Sequence, residues 1–386
     1  MKKSLLLACL ATLCLSATLN AQTIYRCNND PNVTLSLNMF RTLQAAHDAA
    51  SAGDIIYVEP SFTGLFGTIS YGNLLCTKTL KIIGNGNFHQ QNTSISQPFF
   101  KGESNVGTIE IQPTASNTIL QSLYGGVNSY SYIRAQNVKV ISCIGFRFFL
   151  ERTAAGANAS GANFLKNYGC SFRFSGYFTN PVSPSCSYTA YQIENLIFKN
   201  NRECNFEYLG STGLYSGGVC NVSGSTTLIA SIKNVTIANN YNNVAGALDV
   251  YGENVVFHSN ICNSIILRSN TNSGSYGYST ITASNNVCTA PACGYGNNNV
   301  ENVLLSTLFI VPSPYSDEQY QISATSPAKN AGLGNIDAGA FGGSDPYRIS
   351  GLAPIPQITS YSKNASSGVY TTTTPMTVTI SVRGNN

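Results

Sequence analysis

The sequence predicts an all-β chain: a right-handed, single-stranded parallel β-helix (a solenoid) with an N-terminal capping helix and a short C-terminal β segment. Three observations carry this expectation. First, the pattern Asn, apolar, any, apolar, any, any, Asn recurs at Asn195–Asn201, Asn234–Asn240 and Asn254–Asn260, with Asn137–Cys143 in the same frame and Thr280–Asn286 as a looser copy. The closing asparagines of the first three lie 39 and 20 residues apart, two turns and one turn of a coil. Second, Gly218–Gly224 (Gly-Val-Cys-Asn-Val-Ser-Gly) matches Gly246–Gly252 (Gly-Ala-Leu-Asp-Val-Tyr-Gly) position by position, so each coil carries at least two short strands. Third, only 10% of residues are charged, against about 25% in ordinary globular chains, while 43% are apolar. Disorder would need the opposite balance. The polarity comes instead from Asn, Ser, Thr, Gly and Tyr, which suit tightly turned β structure.

A strand alternates its faces, so Leu196 and Phe198, Val235 and Ile237, and Val255 and Phe257 point inward. Stacked at about 4.8 Å per coil they form one apolar column. The closing asparagines form a ladder of side-chain amides along the turn. One short strand cannot bury a core; stacking does. A β-sandwich would need antiparallel hairpins, and a leucine-rich solenoid would need a leucine framework that is absent.

In chain order, residues 1–21 read as a secretory signal peptide: Lys2 and Lys3, an apolar run from Leu5 to Leu19, and Gln22 as the mature start. Neither Cys9 nor Cys14 suits lipid attachment, and no later run is long enough to span a bilayer. The expected location is secreted or cell envelope, by a Sec-type signal. Residues 22–345 form the β-helix with its cap. Within it, 42–52 is the capping helix: Thr42 caps it, Leu43, Ala46 and Ala50 share a face, and Gly53 stops it. Strands follow at Ile55–Val58 and Leu80–Ile83, then the Asn-framed coils, roughly a dozen at about 22–25 residues each. Residues 151–194 and 263–279, rich in Gly, Ser, Asn and Tyr, read as projecting loops. Residues 346–386 read as a Pro-rich connector and one or two terminal strands within Tyr370–Arg383.

Net charge is +4, and removing Lys2 and Lys3 lowers it by two, too little to imply nucleic acid or an anionic membrane as partner. Twelve cysteines less the two in the leader leave an even number for an exported chain. They read as structural disulfides or buried thiols. Metal binding is disfavoured, because the chain has no CxxC pair and only His47, His89 and His258.

The helix and strand from Thr42 to Pro60, the Asn-terminated coils, and the ending Ser326-Pro327-Ala328…Asp337-Ala-Gly-Ala340 resemble bacterial exported right-handed parallel β-helix proteins of the pectate-lyase-like superfold. A closer likeness is to uncharacterised members ending in Gly-Ala-Phe-Gly-Gly…Pro-Tyr…Gly-Leu-x-Pro-Ile-Pro. The resemblance implies the fold but no single activity, since this superfold hosts lyases, hydrolases, esterases, tailspikes and non-catalytic adhesins. Lyases of the superfold pair a Ca²⁺-binding acidic cluster with a Lys or Arg base; hydrolases need two or three carboxylates on adjacent coils. Here there are 17 acids, no two aspartates adjacent, and the signatures Asn-Thr-Asp, Asp-Asp, Gly-His-Gly and Arg-x-Lys are missing.

No catalytic and no metal-ligating residue is therefore assigned, and no cofactor is expected, Ca²⁺ entering only under a lyase reading. The candidate binding residues are Asn221, Ser223, Asp249, Tyr251 and His258. With Cys220 and Val222 inward over Leu248 and Val250, Asn221 and Ser223 would stack outward on Asp249 and Tyr251. One carboxylate among Asn, Ser and Tyr suits sugar contact better than an acid pair; a solvated polar sheet explains it equally simply. His258 occupies the outward position of Lys199 and Ala238, which argues against a special role. Arg147, Glu151 and Arg152, and likewise Arg202, Glu203 and Glu207, read as surface ion pairs. The expected function is a non-catalytic envelope or surface protein, glycan-binding or adhesive and monomeric, with a polysaccharide or surface glycan as partner. The alternative is a divergent polysaccharide lyase or glycoside hydrolase acting on acidic polysaccharide.

Overall fold

The computed structural model describes residues 22–384 except 66, 90, 93–100, 127–129, 153–155, 177–192, 208–220, 223–224, 227–231, 251–252, 268–280, 292, 294–297, 311–315 and 364–376. The chain winds as a parallel β-helix. One 12-stranded sheet runs along the stack and takes in Ile24–Cys27, Ile55–Val58, Lys81–Ile83, Ile119–Gln121, Lys139–Ile141, Asn163–Leu165, Ile197–Lys199, Ile232–Ala238, Glu253–His258 and Ile281–Ser284, each parallel to its neighbours. A second parallel sheet of six strands comprises Leu74–Cys76, Ile109–Ile111, Tyr130–Ile133, Arg147–Arg152, Ser171–Gly176 and Asn205–Glu207. A third column begins with Asn105–Val106 paired to Tyr124–Gly125, continues as single bridges from Tyr124 to Ile144, Tyr168, Arg202 and Tyr241, and broadens into Tyr241–Val250, Ile261–Leu267 and Val287–Cys288.

The inward column is as the alternation dictates. Phe198 lies beside Ile237 and Ile237 beside Phe257, Val235 lies beside Val255, and all five are buried, as is Leu196. Further along, Phe164 stacks on Phe198 at 4.9 Å and Phe148 on Phe172 at 6.0 Å, giving the middle of the core an aromatic spine.

The amide ladder is longer than the repeats that reveal it. Asn167 donates its Nδ2 to Oδ1 of Asn201, and the same bond continues through Asn240, Asn260, Asn286 and Asn299 at 2.9–3.2 Å. Each side chain also accepts from the backbone N–H of the ladder residue in the preceding coil, Cys143 taking that place before Asn167. Each Nδ2 donates a second time, to a strand carbonyl such as Val140 O or Phe198 O. The residue just before each rung has positive φ: Ser142, Lys166, Asn200, Asn239, Ser259, Asn285 and Asn298. Asn is the side chain that best tolerates that conformation, so the doubled Asn-Asn of the repeat has two separate causes.

The cap helix spans Leu43–Ala49, with Thr42 Oγ1 accepting from Ala45 N at 3.2 Å. It stops short of the expected 52 because the Asp54 carboxylate takes the N–H of Ser51 at 2.7 Å. Leu43, Ala46 and Ala50 are buried as expected. The stack starts one strand earlier than expected, since Ile24–Cys27 pairs with Ile55–Val58 ahead of the helix in sequence.

Two of the expected loops contain solenoid. Residues 151–194 include Asn163–Leu165 and Ser171–Gly176, whose Phe164, Phe172 and Phe174 are fully buried. Residues 263–267 extend the strand Ile261–Leu267. After the last coils, residues 316–353 turn back as a strap along the ladder edge. Gly339 N donates to Ser259 O, Asn200 Nδ2 to Ala340 O and Gly342 O, Ser122 Oγ to Gly351 O, and Asn87 N to Ser350 O. Asp337 acts inside the strap, its Oδ1 accepting from Asn330 N at 3.0 Å. The chain ends in an antiparallel hairpin, Gln357–Lys363 with Val378–Arg383.

Candidate functional site

The second sheet places one set of side chains inward, Ile109, Ile111, Ile133, Phe148, Leu150, Phe172 and Phe174, all buried. The alternate set therefore faces out. Register aligns Leu75, Glu110, Tyr132, Phe149 and Arg173 in one row along the stack, with Tyr130, Arg147 and Ser171 in the next. Phe149 is the hub. Tyr132 stacks on it at 5.3 Å, Tyr130 meets it edge-on at 5.1 Å, and the Arg173 guanidinium lies 5.3 Å from its ring centre. Arg134 lies 4.7 Å over Tyr132, and Arg147 lies over Tyr130 while donating to its hydroxyl at 3.3 Å. Tyr130 remains 43% exposed, so this is an accessible aromatic surface and not a closed core.

Arg134 donates from Nε to Glu151 at 2.6 Å and from Nη1 to Glu110 at 2.8 Å. Three successive coils thus contribute carboxylate, guanidinium and carboxylate. Burial works against the Arg134 charge, but hydrogen bonds and attraction from Glu151 and Glu110 outweigh it, holding the guanidinium more firmly protonated than usual. A general base must stand unprotonated to accept a proton, so Arg134 is poorly suited to that work. Arg152 pairs with Glu194 at 3.0 Å. Arg147 has no carboxylate partner among the described residues.

The candidate residues read from sequence fall elsewhere and are not brought together. Asn221 belongs to a two-strand antiparallel turn opposite Thr226, with Val222 opposite Ser225. Asp249 lies in the third column opposite Ile266, and Leu248 opposite Ile265. The expected stacking of one Gly-bounded segment on the other is therefore replaced, for Asn221–Val222, by local hairpin pairing. Ser223 and Tyr251 lie outside the described residues. His258 sits where expected, in register with Ala238, which is itself in register with Lys199. It is half-buried, its Nδ1 lies 3.1 Å from Ser259 Oγ, and burial followed by the Lys199 charge depresses its pKa.

Arg202 corrects the surface-pair reading. It is fully buried beneath the strap, with its guanidinium 4.0 Å from the Tyr168 ring centre and 4.4 Å from that of Tyr320, donating Nη1 to Asp317 O at 2.5 Å. The Asp317 carboxylate accepts from Asn92 Nδ2, Tyr347 O–H and Ser350 N. Sequence offered no sign of Asp317. The aromatic row could have been found, since Tyr130, Tyr132 and Phe149 all stand at alternate positions of apolar runs.

Among the described residues no group of three or more His, Cys, Asp or Glu is placed to hold a metal ion, and no helix is long and apolar enough to cross a membrane. Of the cysteines beyond residue 21, Cys288 and Cys293 form a disulfide, while Cys27, Cys76, Cys143, Cys170, Cys204 and Cys262 are buried thiols. Cys186 and Cys220 lie outside the described residues.

No protein-family model and no curated protein matches this sequence. Among solved structures, a pectate lyase from Bacillus sp. N165 in complex with trigalacturonate aligns with 70% of this chain and 81% of its own, at 16% identity and a TM-score of 0.33. That level of likeness assigns neither family nor activity.

Proposed function

We propose that this chain is an exported, monomeric envelope or surface protein whose second sheet binds extended polysaccharide without cleaving it. Residues 1–21 are its cleaved leader, 22–345 its solenoid body together with most of the strap, and 346–386 the end of the strap with the terminal connector and strands. One observation carries the binding reading: exposed Tyr130 and half-buried Tyr132 and Phe149 form a cluster of rings across two adjacent rows, with Arg134, Arg147 and Arg173 against them. Aromatic faces take the apolar faces of sugars, and guanidinium groups take carboxylates in fork geometry. The coil rise of about 4.8 Å suits one sugar ring of an extended chain per coil. The test is binding of purified protein to polygalacturonate and to a neutral glucan, with and without Ca²⁺, scored for retention and for new unsaturated or reducing ends. Retention of the acidic polymer without new ends, reduced roughly tenfold by Tyr132→Ala, is the expected result; equal retention by that variant overturns the face.

A second reading is a divergent polysaccharide lyase or glycoside hydrolase. The half-buried pair Glu110 and Glu151, bridged by one arginine, favours it. Release of new ends by the wild type, abolished by Glu151→Gln, would establish it in place of the first.

A further inference from the structure

We infer that the sheet face takes an acidic sugar at one place only, the Arg147 guanidinium, so that the polysaccharide it fits carries isolated uronic acids on a neutral backbone instead of an unbroken run of them. The inference rests on the sheet-face reading and narrows its ligand.

The three arginines of the face differ in their surroundings. Arg134 is held between two carboxylates of its own chain, Glu151 at 2.6 Å and Glu110 at 2.8 Å. Arg173 lies against Phe149 and stands in register with Glu207 of the next strand. Arg147 stands in register with Tyr130 on one side and Ser171 on the other, both uncharged. It lies 5.7 Å from the Tyr130 ring centre and donates to that hydroxyl at 3.3 Å. A ring face and a hydroxyl orient a guanidinium without cancelling its charge, and among the described residues no carboxylate pairs with it. A carboxylate arriving at Arg147 therefore gains a charge-assisted bond. The Tyr130 hydroxyl, which accepts from Arg147, has its own hydrogen to donate to the same group.

The fixed acids decide how many such groups fit. Glu151 lies on the same strand as Arg147, beyond Phe149, and Glu110 lies two strands away at the end of the ring row. Arg134 offsets one of these two carboxylates and leaves net negative charge beside the rings. With Arg147 filled, a polyuronate laying one ring on each coil of about 4.8 Å brings further carboxylates to Glu110, and like charges set side by side repel. A chain with single acids sets one on Arg147 and lays neutral rings on Tyr132 and Phe149, whose faces take the apolar faces of sugars.

Calorimetric titration of the full chain tests this with glucuronoxylan (a neutral xylan bearing sparse glucuronates), the same polymer with its carboxyls reduced to alcohols, and polygalacturonate. Glucuronoxylan is expected to bind at least as tightly as polygalacturonate, despite its fewer acids. Carboxyl reduction should weaken wild-type binding about tenfold, the loss expected for one hydrogen bond to a charged group. Arg147→Gln should bind the native and the reduced polymer alike. It should also bind the reduced polymer as the wild type does, which shows that the variant is folded. Tyr132→Ala should weaken both polymers by a similar factor. A preference for polygalacturonate of about tenfold or more overturns the inference and leaves the sheet-face reading standing. So does an Arg147→Gln protein that still distinguishes native from reduced polymer. If no acidic polymer binds the wild type, or if Tyr132→Ala binds both polymers as the wild type does, the sheet-face reading fails and this inference with it.

Discussion

Asn240 and Asn254 are the same residue type in neighbouring repeats, yet they do different work. Asn240 is buried, donates to Phe198 O and Asn260 Oδ1, and accepts from the backbone and side-chain amides of Asn201. Replacing it with Ala strands a buried N–H and a buried carbonyl together, a cost of about 3 kcal/mol. Asn254 is exposed, has φ 54, and donates sideways to Asn234 Oδ1 at 3.0 Å. Asn254→Ala should cost about 1–2 kcal/mol from the left-handed backbone, and Asn254→Gly close to nothing, because glycine removes that strain. Denaturant midpoints of the three variants check the ordering; a Gly variant as weak as the Ala variant would show that the side-chain bond, not the backbone, decides. The closing asparagines were legible because each repeat shows the whole frame. Asn167 was hidden because Gly161 stands where the leading Asn would be. Gly161 has φ 77, the same handedness by a different residue, and a Cβ there would meet Asn137 Oδ1 at 2.1 Å.

At the scale of elements, the parallel strands with strong alternation were readable, and those in polar surroundings were not. Ser171–Gly176 looks like loop because Ser171, Arg173 and Ser175 dilute it, yet Phe172 and Phe174 are fully buried. The candidate face takes Arg173 from that strand, so overlooking it hid the guanidinium that lies against Phe149. Matching two Gly-bounded segments by letters failed for another reason: identical apolar positions do not say which neighbour a strand takes, and Asn221–Val222 pairs with Ser225–Thr226. Where register is firm it makes chemistry predictable. Cys262 and Cys288 are paired residues of adjacent parallel strands, with sulfurs 3.6 Å apart, although Cys288 is bonded to Cys293. Neighbouring strands lie about 4.8 Å apart, within the reach of a disulfide. Burial pushes the Cys262 thiol up to about 12, which keeps it inert in the native protein. In Cys293→Ser, refolding from denaturant with glutathione disulfide, which exposes both thiols, should join Cys262 to Cys288. Peptide mapping after alkylation reads this directly; a free Cys288 after full oxidation would show that the coils cannot close the bond.

For the whole molecule, stacked coils alone would be a nearly one-dimensional array, stable only through nearest neighbours. The strap changes that, because it touches ladder-edge residues from Ser259 back to Asn87 and so ties distant coils together. Its anchor is Asp317, fully buried and held by Asn92, Tyr347 and Ser350 above the Arg202 guanidinium. Burial raises the Asp317 carboxyl above its ordinary value, with Arg202 and the three hydrogen bonds pulling the other way but not prevailing. A carboxyl raised in the folded state binds its proton more tightly there than in the unfolded chain. Its contribution to stability is therefore complete below the unfolded value of about 3.9 and is lost as pH climbs through the raised folded value. Asp317→Asn cannot titrate. Other carboxylates act alike in both proteins, so the difference between wild type and variant isolates this one group. The wild type should lose stability relative to Asp317→Asn as pH rises from about 4 towards neutrality, read as the gap between their melting temperatures at each pH. A gap that moves the other way would mean that Arg202 holds Asp317 as a carboxylate, and that the strap is fastened by a buried ion pair instead of a protonated acid.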